Sequence, residues 1–238
     1  MRFPRPLLPG VLLRRYKRFL ADVELASGEQ VTAHTANPGR MTGLVEPGRA
    51  VWLSEHDDPR RKLRYTWELL RLEEGLVGIN PARANGLVEE AVAAGAIPEL
   101  AGYARQRREV AYGARGSRVD LLLEDDPDQP GPRPPCYVEV KNATLREGDG
   151  ALFPDAPSAR GRKHLLELQD EVAAGRRAVL VFLVQRPAPL WVGPAAAVDP
   201  AYAAALREAL AAGVEALAYR VEVSLEELRV RERLPVRV

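Results

Sequence analysis

Only one cysteine, Cys136, and only four lysines occur among the 238 residues of the chain. A lone cysteine excludes an internal disulfide and a cysteine-rich zinc site, and it fits a reducing, cytoplasmic setting. Cys136 itself reads as a small apolar residue at the start of a strand. Long apolar runs are also missing: nothing approaches the roughly 18 to 20 apolar residues that a membrane span needs, so no membrane association is expected. The N-terminal MRFPRPLLPGVLLRRYKR places charge ahead of leucines, as a leader would. However, Pro9-Gly10 breaks the run, and RRYKR stands where a small-residue cleavage site belongs. Net charge is nearly absent at +1, so the whole molecule has no long-range field to draw in a polyanion. No glycine-rich phosphate loop or dinucleotide fingerprint occurs, which argues against an enzyme of sugar-phosphate metabolism.

What is present is ordinary in amount and uneven in placement. Apolar residues at 46% and charged residues at 28% are usual for a globular protein, and the length suffices for one large domain or two small ones. Residues 1–19 carry Arg2, Arg5, Arg14, Arg15, Lys17 and Arg18 with no acid, and residues 105–118 carry Arg105, Arg107, Arg108, Arg115 and Arg118 against Glu109 alone. Two basic patches on a neutral whole suit a protein that holds a phosphate backbone along one side. Because 30 of the 34 basic residues are arginine, the retained Lys17, Lys62, Lys141 and Lys163 mark places where a compact ammonium with a tunable pKa is useful.

Residues 10–80 read as short strands separated by turns rich in Gly and Pro: VLLRRYKRFLADVEL, QVTAHTA, AVWLSEH, LRYTWELLRLE and LVGIN. About five strands in such a length predict a small closed barrel of the OB type, with an SH3-like barrel as the alternative. From Asn80 the texture changes. NPARANGLVEEAVAAGAI predicts a helix, REVAYG, SRVDLLLE and CYVEVKN predict strands, and TLREGDGALFPDAPSARG reads as a loop. A helix over 162–174, a buried strand RAVLVFLVQR, a helix over 200–212, the strand VEALAYRVEV and a final strand in the tail complete the order. We expect an N-terminal OB-like barrel over 1–80 that binds nucleic acid and an α/β domain over 81–238.

The chemistry concentrates in the hairpin Ser117–Asn142. Side chains alternate along a strand, so Glu139 and Lys141 share one face while Val138 and Val140 point to the other. A turn centred near residue 130 pairs Asp120 with Glu139 across the hairpin, at roughly 5 Å between Cβ atoms. Two carboxylates so close disfavour each other's ionisation, and a divalent cation relieves this. Oxygen ligands with incomplete protein coordination point to Mg²⁺ or Mn²⁺ rather than zinc. Such an ion polarises a phosphodiester, and Lys141 orients water or offsets charge on the phosphoryl oxygens. A plain cross-strand charge pattern is the alternative reading of the same three residues.

Further candidates flank the hairpin. Glu90 lies beside the apolar stripe Leu87, Ala91 and Ala94, where it either reaches the metal or is an ordinary flanking charge, and Glu89 points further out. Lys163 and His164, beside Arg160 and Arg162, open the next helix, whose N-terminus attracts phosphate. In the barrel, Arg14, Arg15, Tyr16, Lys17, Arg18 and Phe19 interleave cations with rings, a pattern for phosphate contact with base stacking or for a basic edge strand. The turn HTANPGRMTG carries Asn37 and Arg40, which can present amides and a guanidinium to an anion.

RRYKRFLADV, HTANPGRMTGL, NGLVEEA, YGARGSRVDLLL, YVEVKNATL, FPDAPSARGRKHLLEL and VFLVQR, in this order, closely resemble the sugar fermentation stimulation protein family, SfsA, over almost the whole chain. The resemblance implies an OB-like domain joined to a domain like the PD-(D/E)XK nucleases, DNA as partner, and a regulatory role in sugar catabolism. The nuclease pattern falls on Asp120, Glu139 and Lys141, with Glu90 as candidate helix acid. Val119 departs from it by standing where the named pattern has proline. Two functions from different classes follow. One is a metal-dependent nuclease that grips nucleic acid with the barrel and cuts at the hairpin. The other is a DNA-binding transcriptional regulator that keeps the nuclease-like domain as scaffold. The intact trio favours the first.

Overall fold

The computed structural model describes residues 1–128 and 130–238. Its first layer of order is a six-stranded sheet built from β1 (Leu8–Tyr16), β2 (Leu20–Leu25), β3 (Gln30–His34), β4 (Ala50–Glu55), β5 (Tyr65–Leu72) and β6 (Gly75–Gly78). Neighbours pair antiparallel in the order β3-β2-β1-β4-β5-β6, and a parallel pairing of β3 with β5 closes β1–β5 into a barrel of the OB type. That closing parallel pair decides between the two barrels the sequence allowed. Alternation along the strands fills the barrel with Leu12, Val23, Ala33, Val51, Leu53 and Trp67, all 0% exposed.

After a short turn of 3₁₀ helix at Pro81–Arg83 come α1 (Ala84–Ala93), β7 (Arg105–Tyr112), β8 (Ser117–Glu124), β9 (Cys136–Asn142), β10 (Leu145–Glu147), β11 (Gly150–Phe153) and α2 (Ala159–Ala173). The chain ends with β12 (Arg177–Val184), β13 (Trp191–Pro194), α3 (Pro200–Ala211), β14 (Glu215–Val223) and β15 (Leu228–Arg233). A second six-stranded sheet runs β15-β14-β12-β9-β8-β7, with β9, β12 and β14 parallel and the rest antiparallel. Helix α1 packs on the face carrying Leu121, Leu123, Val138 and Val140, while α2 and α3 cover the face carrying Leu180 and Phe182. The result is a three-layer α/β domain. Among the described residues no helix is long and apolar enough to cross a membrane.

Three expectations about elements are corrected. The segment read as a loop after residue 142 contains the hairpin β10–β11, which joins β13 in a small third sheet. Helix α2 begins at Ala159 rather than near 162, because Ser158 caps it by accepting a hydrogen bond from the Gly161 amide at 3.0 Å. The arginines of 105–118 do not form an unopposed patch: Arg107 meets Glu124, Arg108 meets Glu89, Arg115 meets Asp170 and Arg118 meets Glu109. The midpoint of the hairpin loop, Gln129, lies outside the described residues, so of the turn expected near residue 130 only the flanks are seen.

Candidate functional site

Register places the hairpin carboxylates. Strands β8 and β9 pair Leu121 with Val138, Leu122 with Tyr137 and Leu123 with Cys136, and the same register carried one step further sets Asp120 against Glu139. The ladder stops before that step. On the other side β7 also skips the position, pairing Arg108 with Leu121 and then Val110 with Val119, while Glu109 between them adopts a left-handed φ of 51°. The strands therefore part at Asp120, whose side chain takes over from the missing ladder. Its Oδ2 accepts the Val140 amide at 2.7 Å and its Oδ1 accepts from the Asn85 side chain at 2.8 Å.

Glu139 faces α2 and is 1% exposed. Its Oε1 accepts from both Lys141 Nζ and His164 Nδ1, while its Oε2 is buried with no partner. Arg160 donates to the other nitrogen of the same imidazole at 3.2 Å, so His164 is wedged between a guanidinium and a carboxylate. Burial opposes ionisation of Glu139, but Lys141 and His164 together outweigh it and hold its carboxyl below the usual range. Asp120 goes the other way. Burial first, then the neighbouring Glu139 charge, push its carboxyl up to about 6 against the pull of the Val140 amide, Lys141 and Asn85. A pair of carboxylates driven apart in this way is what a shared cation would relieve.

Lys141 opens onto a cleft of about 490 Å³ between the two halves of the molecule. The barrel contributes Arg18, Asn37, Pro38 and Gly39, and the α/β domain contributes Lys141, Asn142, Asp155 and Arg160. A larger depression of about 700 Å³ lies between residues 2–7 and 224–227 and carries none of the site residues. The cleft wall is fixed. Asp155 accepts the Met41 amide at 3.0 Å and lies so close to Gly39 that a Cβ there would sit 2.1 Å from its Oδ2, so any side chain at that point would have to displace the Asp155 carboxylate.

Of the fourteen nominated residues the structure brings Arg18, Asn37 and Lys141 to one cleft, with Asp120 and Glu139 behind it. Others have different roles. Glu90 is engaged away from the two carboxylates: α1 reaches Asp120 through Asn85, while the exposed Glu90 accepts from the Met1 ammonium at 2.6 Å. Its neighbour Glu89 turns toward β7 instead, pairing with Arg108. Arg15 is structural, donating to the carbonyls of Arg18, Asn37 and Gly39 at 2.6, 2.9 and 2.9 Å. Arg14 and Tyr16 are both held by Asp22, at 2.8 and 3.1 Å. The Asn37 side chain is used internally too, accepting the Gly39 amide at 2.9 Å. Lys17, Arg18, Phe19 and Arg40 are exposed, and Lys163 is half-exposed just past the first turn of α2. His164 is 3% exposed and serves Glu139 rather than solvent phosphate.

Sequence reasoning missed Asn85, Asp155, Arg160 as the partner of His164, and Glu167. Glu167 is 0% exposed with both oxygens unpartnered, one turn beyond His164 on α2. Its side chain fills the space over Gly113, where φ is +68° and a Cβ would lie 2.7 Å from its Oε1. The unpartnered Tyr112 hydroxyl lies within the influence of Glu139, Glu167, Asp120 and Glu171, and burial followed by these charges raises its pKa. The available signal was HLLEL, which sets an acid three residues after a histidine on one helix face. Among the described residues no three Asp, Glu, His or Cys side chains form a metal cage. Asp120 and the free Oε2 of Glu139 are the oxygens that could hold a hard cation, and two carboxylates with open positions suit Mg²⁺-type coordination.

Comparison with known proteins now adds to the geometry. Residues 82–227 match the model of the sugar fermentation stimulation protein RE domain, and residues 13–79 match that of the SfsA N-terminal OB domain. The chain is 54% identical over 236 residues to the sugar fermentation stimulation protein homolog of Geobacter metallireducens, covering 99% of each chain. It is 56% identical over 225 residues to that of Maricaulis maris, covering 94% of this chain and 93% of the relative. Among solved structures, SfsA of Pyrococcus furiosus in complex with Ca²⁺ superposes with a TM-score of 0.88 at 32% identity, covering 100% of this chain and 98% of that one.

Proposed function

The chain belongs to the sugar fermentation stimulation protein family, and from that premise we propose that it is a DNA-binding protein with a divalent-cation-dependent phosphodiesterase site. DNA lies in the cleft between barrel and α/β domain, and Mg²⁺ or Mn²⁺ is held by Asp120 and Glu139. The observation that carries the reading is Glu139: a fully buried carboxylate, clasped on one oxygen by Lys141 and His164, with its other oxygen unpartnered beside a second carboxylate. A buried acceptor left open is costly unless something fills it. The relative from Pyrococcus furiosus is described with Ca²⁺, an ion of the same oxygen-seeking class, which supports a hard cation here. On this reading the stimulation of sugar fermentation for which the relatives are named is exerted through nucleic acid.

When bound, the cation supplies polarisation of the phosphodiester and activation of water. The chain's own residues do the rest. Lys141 sets its ammonium at the cleft wall, where it orients the attacking water and offsets charge growing on the phosphoryl oxygens. Asn85 and the Val140 amide fix the Asp120 carboxylate, and His164 fixes Glu139. Arg18 and Arg160, on opposite sides of the cleft, hold the flanking phosphates.

The test is cleavage of single-stranded, duplex and branched DNA with Mn²⁺ or Mg²⁺. Wild type is expected to cut, and Glu139→Gln and Lys141→Ala to lose cutting by at least about a hundredfold while still binding DNA. If every substrate stays intact with both metals, the phosphodiesterase is ruled out and the regulator with a scaffold domain takes its place.

A further inference from the structure

We propose that the cleft takes an unpaired nucleic-acid strand rather than a duplex, with one base stacked on Phe19. This inference rests on the reading of the cleft as a nucleic-acid site and names its substrate class. The first observation is the depth of the site. The Lys141 side chain is 11% exposed and that of Glu139 2%, so a scissile phosphate must enter the cleft to reach them. At about 490 Å³ the cleft is in the range of pockets that enclose one small molecule. A duplex is a stiff rod, and a phosphate on it arrives with a second strand and stacked pairs close behind. Pro38 and Gly39 of the barrel line the same cleft as Lys141, and a second strand would have to be accommodated against them.

The second observation is that this wall does not give way easily. Asp155 ties it to the α/β domain through the Met41 amide at 3.0 Å. Arg15 ties it to the β1–β2 turn through the Arg18, Asn37 and Gly39 carbonyls. Asn37 closes the loop on itself through the Gly39 amide. A duplex would have to break this set, whereas a single strand can thread between the walls with its bases turned out.

The third observation is a place for a base. Among the described residues Phe19 is the exposed aromatic of the large apolar side chains, at 41%. It directly follows Arg18, which lines the cleft, and it lies stacked on His34 with ring centroids 6.3 Å apart and planes inclined by 18°. A ring backed by another ring and flanked by Lys17 and Arg18 combines stacking with phosphate contact, which is how proteins hold unpaired strands without reading sequence.

The experiment measures binding, so it stands apart from whether the site cuts. A fluorescent DNA oligonucleotide is titrated with the full chain in EDTA and again in Ca²⁺, as a single strand, annealed to its complement, and as a single strand in which abasic sugars replace the nucleosides. The single strand is expected to bind at least about tenfold tighter than the duplex, Phe19→Ala to weaken it by about tenfold, and Phe19→Trp to restore it. The abasic strand is expected to bind more weakly and to show no further loss with Phe19→Ala. Duplex binding equal to or tighter than single-strand binding overturns the inference, as does a Phe19→Ala loss that persists on the abasic strand. Failure to cut any substrate, with these preferences intact, overturns only the phosphodiesterase.

Discussion

His164 has both ring nitrogens committed, one donating to Glu139 and the other accepting from Arg160, which fixes the tautomer and the angle of the carboxylate it serves. It acts through Glu139, so its loss should appear in the cation dependence of cleavage more than in DNA binding. His164→Ala is expected to raise the Mn²⁺ concentration for half-maximal cutting by about tenfold or more. His164→Asn, whose amide can stand where Nδ1 stands, should recover part of it. An unchanged Mn²⁺ requirement in His164→Ala would deny the positioning role. Cys136 gives a second expectation at this scale. It is 0% exposed, and burial, against the pull of Arg177, pushes its thiol up to about 12. The thiolate is therefore missing throughout the range in which the protein is handled and appears only as pH approaches that value. Thiol reagent at pH 8 should label it only as fast as the fold opens, and promptly in denaturant. Rapid labelling of the native chain would contradict its place in the core. Asp120, Glu139 and Lys141 were legible in the sequence because strand alternation and hairpin register are local rules. The pairing of His164 with Glu139 was not, since 25 residues separate them and only the packing of α2 on the sheet brings them together.

Helix α2 delivers His164, Arg160 and Glu167 to the site although its first turn carries Arg160 and Arg162, followed by Lys163, and no acid, a charge pattern opposed by the helix dipole. What offsets this is a shared anchor. Asp199 accepts the Ser158 amide at 2.7 Å, takes Arg162 at 3.2 Å, and caps α3 by accepting the Tyr202 amide at 2.9 Å. One carboxylate, 3% exposed, thus holds the N-termini of both helices. Asp199→Ala removes a cap, leaves a buried amide open and strips Arg162 of its partner, so a loss of about 2–4 kcal/mol in stability is expected. Ser158→Ala, which removes one cap alone, should cost about 1 kcal/mol. Denaturant melts of the two variants check the order, and equal losses would show that Asp199 anchors only α3. The sequence showed both helices by their apolar period but misplaced the start of α2, because Ser158 lies behind a run of proline and alanine that reads as loop. The hairpin β10–β11 escaped for a related reason. Its strands are only three and four residues long, too short for alternation to register, and they are stabilised by pairing with β13 some 40 residues on.

At the scale of the whole molecule, the barrel and the α/β domain are joined through polar contacts. The Gly78 amide donates to the Gln185 carbonyl at 2.8 Å, and Glu74 takes Arg186 and Arg146 at 2.8 and 2.9 Å. The barrel order and the α/β order were each legible from turn spacing and apolar period, but the cleft between them was not, because these contacts span more than 70 residues. The cleft changes what charge predicts. Read along the chain, Arg14, Arg15 and Arg18 look equivalent. In the fold Arg15 is spent on backbone carbonyls, Arg14 is held on Asp22 and over the Tyr16 ring, and Arg18 alone of the three lines the cleft, as Arg160 does from the α/β domain. For a single strand each phosphate neutralised contributes about −0.7 to the slope of log affinity against log salt. Arg18→Ala and Arg160→Ala should each make that slope shallower by about 0.7, and the double variant by about 1.4. Arg14→Ala should leave it unchanged. Because the net charge is only +1, no diffuse field exists to mask these local losses. Titrations of a single-stranded oligonucleotide across a salt series measure all four slopes. A change in Arg14→Ala as large as that in Arg18→Ala would move the contact surface out of the cleft and onto the outer face of the barrel.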